Sequence, residues 1–386
     1  MRLRYVLLWF AGVDLRLTLL AIPPVIPLIH RDLHLDESGI AALSNLPVLV
    51  LAASSVFGAL LTARLGARRA LVIGLLVVAS SGALRGLGPS IPTLFAMTLV
   101  MGVGIAMLQP AFPSLVRAWF ITGRLTLGTS IWANGLLSGE ALSASLTIPL
   151  VLPMVGESWE RSLAIWSVPV FVTALAFGLL RDRPGDDMPV AGARWFPNFR
   201  DRRIWALGTF QAAASLTYFG ANTFTPDYLQ ATGQGHLIAA CLAALNIGQL
   251  PASIAVGFIP MHVLRRPATL WTVAVFTLVA LAGFIFIGGP VAIVASAMFG
   301  ATAAVVLTMS FALPALMAPH HEVARISAGT FTLGYSLSFL TTLLSGALWD
   351  FTHNPATAFA PIVAAALIVV FVGTKLATIP DAAAPA

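Results

Sequence analysis

The chain has 386 residues, of which 58% are apolar and only 9% charged, against roughly 25% charge in a soluble domain. That composition excludes an ordinary water-soluble globule. The net charge of +6 is spread over the ends of apolar runs, so it argues for membrane topology and against a nucleic-acid partner.

A spanning helix takes about 20 residues, so twelve spans use roughly 240 and leave room for ends, turns and one longer loop. Apolar stretches bounded by charge, proline or glycine predict twelve spans, at residues 4–29, 37–63, 70–88, 92–118, 124–153, 159–180, 204–229, 236–261, 268–288, 290–318, 325–349 and 356–378. The expected fold class is therefore an all-α polytopic membrane protein. The lipid bilayer is its first partner. Span one begins like a signal peptide, but Asp14 and Arg16 interrupt its apolar run and no small-residue cleavage pattern follows, so it reads as a retained helix.

Arg16 lies about 18 Å along that helix from Arg4, close to the bilayer midplane. An arginine there costs at least roughly 2.5–3.5 kcal/mol and needs a partner or a wet cavity. Two roles compete: a structural ion pair with Asp14 or Glu140, or an anchor for an anionic or strongly polar substrate. Asp14 is about 200° round the helix from Arg16, which disfavours it as the partner. Between spans two and three, Arg64, Gly66, Arg68 and Arg69 form a basic turn. In span four Gly102, Gly104 and Ala106 suit close helix approach, as do Gly135 and Gly139 in span five. Pro23, Pro24, Pro27, Pro110 and Pro113 are expected to kink or end helices.

Span five also carries Asn134, a candidate polar contact, and Glu140. With Ser143 and Thr147, Glu140 forms one polar stripe at i, i+3 and i+7. Glu140 has three readings: pairing with Arg16, carrying a coupling proton, or reaching the outer interface. Asp14 shares the proton-coupling reading. Residues 181–203 pack ten charged side chains into one linker, dividing the chain into 1–180 and 204–386, two six-helix bundles.

The halves look like distant copies. Phe10 to Pro27 parallels Phe210 to Pro226, including a helix-ending proline, and Arg68 with Arg69 parallels Arg265 with Arg266. That is the pattern of a parallel repeat with a cavity between halves. In the second half, Gln211, Ser215, Tyr218 and Asn222 make one polar stripe, and Asn246, Gln249 and Ser253 another. Tyr218 and Gln249 match the depth of Arg16, and Tyr335 belongs to a looser polar side of span eleven. The same spacing also suits plain interhelical hydrogen bonds.

With a cytoplasmic N-terminus, 17 of the 21 basic residues fall on that side, leaving Arg31, Arg85 and Arg161 opposite and Arg16 within span one. Both termini are then cytoplasmic. Cys241 is the single cysteine, so no intrachain disulfide or thiol metal site exists, and all seven histidines fall in loops or at span ends. No zinc motif, nucleotide loop or nucleophile elbow occurs. The expectation is no enzyme, no cofactor and no metal.

Ala59 to Arg69 resembles the loop signature G-x-L-A-D-R-x-G-R-R of the major facilitator superfamily, with Ala59 and Ala63 in place of its glycine and aspartate. Gly102, Gly104, Ala106 and Pro110 resemble its fourth-helix pattern, with Thr98 where that pattern has arginine. More narrowly, Gly12-Val13-Asp14-Leu15-Arg16 is similar to the G-x-N-L-R-P opening of the cyanate and nitroimidazole transporter family. The runs Leu84 to Pro89, Gly104 to Ala106, Pro113 to Leu115, and Gly334-Tyr335 are similar too. The resemblance implies a secondary carrier for a small, often anionic solute in a bacterial inner membrane, with Arg16 as substrate anchor. Such a carrier takes a small-molecule substrate, with protons as possible coupling partners, and works as a monomer by alternating access. An efflux carrier for drugs or metabolites, using Phe10, Trp132, Phe219 and Phe224, is the alternative, and a non-transporting membrane sensor a remote one.

Overall fold

The computed structural model describes residues 2–34, 37–120, 124–180 and 195–378, and all regular structure among them is helical. Most of the charged linker, residues 181–194, lies outside the described residues. In chain order the helices are α1 (Arg2–Leu17), α2 (Ile26–Leu33), α3 (Glu37–Leu65), α4 (Ala67–Leu84), α5 (Ile91–Trp119), α6 (Leu125–Leu146), α7 (Leu152–Met154), α8 (Trp159–Ile165) and α9 (Ser167–Leu179). They continue as α10 (Arg202–Ala231), α11 (Ile238–Phe258), α12 (Met261–Leu264), α13 (Pro267–Ala282), α14 (Pro290–Met317), α15 (Val323–Thr352) and α16 (Ala360–Ala377).

Every one of the twelve expected spans falls on helix. Eight described helical stretches are long and apolar enough to cross a membrane by length and composition, and a ninth is α6 taken with residues Thr147–Met154, bent by 53° at the break. Span one divides into α1 and α2, each too short alone. Span seven, α10, is 30 residues long and interrupted by polar side chains.

The prolines act where their chemistry requires. Pro149 and Pro153 accompany the wide turn Thr147–Val151 that bends span five. Pro23 and Pro24 open a short turn after α1 has ended at Leu17. Pro226 behaves otherwise: α10 runs through it to Ala231. The expected helix-ending proline of span seven is therefore an internal one, and the likeness between spans one and seven stops at that point. A single proline inside α10 removes one ladder bond, whereas Pro23 and Pro24 open a turn in chain that has already left α1, and Pro27 sits in the first turn of α2, where no ladder N–H is needed.

The chain forms two compact units. The first comprises Met1–Ile121, Ile131–Pro197 and His320–Ala328, and the second Thr122–Ser130, Asn198–Pro319 and Gly329–Ala386. In the first, Leu17, Ile29, Leu94, Trp159 and Leu163 belong to one buried cluster. In the second, Tyr228, Phe284, Phe299 and Phe359 form a ring-on-ring core with centroids 5.2–6.1 Å apart. Each unit carries the same arginine tie. Arg68, in the first turn of α4, donates to the Leu180 carbonyl just past α9, and Arg265 donates to the Leu376 carbonyl in α16 at 2.6 Å. The two bonds bridge 112 and 111 residues. A cation at the carbonyl end of a helix satisfies groups that the helix cannot satisfy itself.

Candidate functional site

The first-unit site is built on the approach of α1 to α6. A Cβ on Gly12 would collide with the Trp132 carbonyl, one on Gly135 with the Trp9 carbonyl, and one on Gly139 with the Val13 carbonyl. Only glycine lets the two backbones touch at these points. One residue beyond Gly139, Glu140 reaches α1: its Oε1 lies 3.6 Å from Arg16 Nε, and the two side chains are 4% and 6% exposed. Lower on the same seam, Trp9 Nε1 donates to Asn134 Oδ1 at 3.0 Å.

The polar stripe below Glu140 is spent on structure. Ser143 Oγ donates to the Glu140 carbonyl at 3.3 Å, Thr147 Oγ1 to the Ser143 carbonyl at 2.5 Å, and Trp166 Nε1 to Thr147 Oγ1 at 2.9 Å. The Glu140 carboxylate is thus the charged group this face of α6 presents to Arg16. Asp14 points elsewhere. It is fully buried, its polar neighbour is Thr173 of α9, and neither of its oxygens makes a close hydrogen bond. Thr173 gives its own proton to the Pro169 carbonyl at 3.0 Å. The helical-wheel argument that separated Asp14 from Arg16 therefore describes the actual arrangement.

In the second unit the polar side chains expected at the depth of Arg16 are neutral. Tyr218 donates its hydroxyl to Asn246 Oδ1 at 2.9 Å, and Asn246 Nδ2 donates to the Leu242 carbonyl at 2.8 Å, so α10 and α11 are stitched together. Gln249 is buried with its Cγ near Gly300 of α14, Asn222 is half-buried, and Tyr335 is buried parallel to Phe331 with centroids 6.3 Å apart. Gln211 and Ser215, on the same face of α10, are buried and, among the described residues, make no hydrogen bond at either end of the amide or at the hydroxyl.

The basic turn after α3 depends on Gly66, whose φ of +88° would strain any other residue. Its N–H donates to the Thr62 carbonyl at 2.9 Å. Arg64 and Arg69 are exposed, while Arg68 is turned inward on the Leu180 carbonyl. Of the aromatic side chains named for an efflux cavity, Trp132 is fully buried and stacked on Phe112 at 4.7 Å, and Phe224 packs against Trp349.

Arg85 was placed by charge counting on the outer face. The structure buries it completely, with one guanidinium nitrogen donating 2.7 Å to the Thr18 carbonyl and the other two making no bond. Thr18 follows the last residue of α1, whose carbonyls are left over where the helix breaks. The signal was present in the sequence: in the run Leu84 to Pro89, Arg85 has no other polar or charged side chain beside it. Among the described residues no group of three or more His, Cys, Asp or Glu side chains could hold a metal ion.

Long apolar helices in two units, each with its own arginine tie, are the features of a polytopic helical membrane protein. The family model of the Major Facilitator Superfamily matches residues 8–342, and the chain belongs to that family. It is accordingly a multi-pass membrane protein and a secondary transporter rather than an enzyme. The cyanate transport protein CynX of Escherichia coli (strain K12) is 25% identical over 349 residues, covering 89% of each chain. The uncharacterized transporter YycB of Bacillus subtilis (strain 168) is 22% identical over 93% of this chain and 89% of its own. Among solved structures, the human organic anion transporter MFSD10 superposes with a TM-score of 0.74 at 15% identity, over 96% of this chain and 99% of that one, and shows the shared fold. The resemblance to the cyanate transporter family thus extends over nearly the whole chain.

Proposed function

We propose that this transporter moves a small anionic or strongly polar solute, of the size and charge of cyanate, across a bacterial plasma membrane by alternating access of its two six-helix halves, residues 1–180 and 204–386. The observation that carries the reading is the buried Arg16–Glu140 pair beside the end of α1. A buried cation whose counter-ion is a protonatable carboxylate can exchange that counter-ion for an anionic substrate. Protonation of Glu140 cancels its half of the pair and leaves the guanidinium to the solute, which couples one proton to one anion. Asn134, Tyr218, Gln249, Asn222 and Tyr335 serve as neutral contacts. Asp14, whose polar neighbour is Thr173, is the weaker proton site. The turn holding Arg64, Gly66, Arg68 and Arg69 acts as a gating element, through Arg68 first. Both termini lie in the cytoplasm, and one chain suffices. The similarity to CynX supports the anionic substrate class.

Uptake of labelled cyanate and other small anions into proteoliposomes tests this. Arg16→Ala should lower uptake by at least about 100-fold, the worth of one charge-assisted contact in a poorly hydrated site. Glu140→Gln should keep anion binding while losing the response to a pH gradient. Full uptake by Arg16→Ala, in protein that remains folded, would overturn the anchor. Export of a toxic aromatic panel without any anion uptake would favour the efflux carrier instead.

A further inference from the structure

A cavity of about 420 Å³ lies in the second unit, where the start of α6 meets the turn between α11 and α12. Its polar side is made by Arg124, Thr126 and His262, and its apolar side by Leu127, Phe258 and Leu316. Among the described residues no carboxylate lines it. Arg124 immediately precedes α6, so the first N–H groups of a 22-residue helix open at the same place, where they have no helical partner and favour an anion. The corner is held firmly. Ser130 Oγ donates to the Ser253 carbonyl, and a Cβ on Gly257 would come within 2.9 Å of Ser130. The first turns of α6 are thereby seated on the end of α11.

Two features distinguish this cavity from a site for a free ion. Phe258 is 77% exposed beside it, and in a membrane protein a bare ring at the end of a spanning helix is a shelf for an acyl chain. Arg124 and His262 are themselves exposed at the rim. We propose that the cavity binds the phosphodiester of an anionic phospholipid, with Arg124, His262 and the α6 N-terminus taking the phosphate and Phe258 with Leu316 taking the start of a chain. This site is independent of the solute carried and of the direction of transport.

Delipidated protein titrated with phosphatidylglycerol, phosphatidylcholine or sn-glycerol 1-phosphate, and read by native mass spectrometry, provides the test. Phosphatidylglycerol should be retained over phosphatidylcholine. Arg124→Gln should weaken that retention about fivefold, His262→Gln should weaken it less, and Arg200→Gln, an exposed charge elsewhere, should leave it unchanged. Phe258→Ser should weaken phosphatidylglycerol but not glycerol phosphate. Equal retention by wild type and the Arg124 and His262 variants would overturn the site, as would an equal loss in Arg200→Gln. Tight glycerol phosphate binding that Arg124→Gln abolishes and Phe258→Ser spares, with no preference for the lipid, would overturn the lipid source. If Arg124→Gln does not fold, the His262 and Phe258 variants decide the matter alone.

Discussion

The α1–α6 seam and the inner face of α10 present opposite solutions to polarity inside a membrane. On the first, a cation and an anion are buried together and the backbones meet through three glycines. On the second, the polar groups are neutral, and Gln211 and Ser215 are buried without partners. Even the helices differ: α1 stops one residue after Arg16, whereas α10 passes its proline unbroken. In the proposed function, the charged seam is the part that a counter-ion or a proton switches. Neutral groups can only adjust fit.

Substitutions can break this contrast, and the largest effect is expected at the ion pair. Arg16→Ala strands a buried carboxylate and should cost about 3–5 kcal/mol, read as a fall in melting temperature. Arg16→Glu combined with Glu140→Arg should recover most of that stability without recovering anion uptake. Recovery of both would mean that the pair serves structure alone. Next comes the seam. Gly139→Ala pushes a methyl group into the Val13 carbonyl and should cost about 1–3 kcal/mol, with a weakened response of uptake to pH because Glu140 is the next residue.

In the second unit the sign should reverse. Gln211→Leu removes an amide that is buried without a hydrogen bond, so it should raise stability by about 1 kcal/mol. A drop in melting temperature there would show that the amide has a partner in the working protein.

The smallest effect is expected at Asp32, past the end of span one. Its hydrogen bond from Arg31 at 2.8 Å, aided by the charge of Arg31 and a bond from Trp159 Nε1, holds its carboxyl below the usual carboxylate range. A group whose folded value is lowered contributes stability above its unfolded value, about pH 3.9. It loses that contribution as pH falls through the folded value. Asp32→Asn should therefore flatten the acid limb of a melting-temperature profile slightly and leave neutral pH almost untouched.

Much of this was legible in the sequence because membrane insertion enforces simple rules. Apolar runs of spanning length located every helical region, and the cost of a midplane arginine singled out Arg16 and offered Glu140 as its partner. Periodicity could say that Glu140, Ser143 and Thr147 share a face, but not that the two hydroxyls would turn back on their own helix. It could not separate Pro226 from Pro23 either, since a proline ends a helix or bends it according to what packs beside it. Arg85 escaped because charge counting treats each arginine near a span end as solvated. Burial of its side chain depends on a carbonyl 67 residues earlier.

The arginine ties also bear on biogenesis. In each unit the acceptor carbonyl, Leu180 or Leu376, sits at the end of a helix made more than a hundred residues after its donor. The first clasp can therefore fasten while the ribosome has yet to deliver α10, and the nascent protein need not wait for its C-terminal partner to secure what has already been inserted.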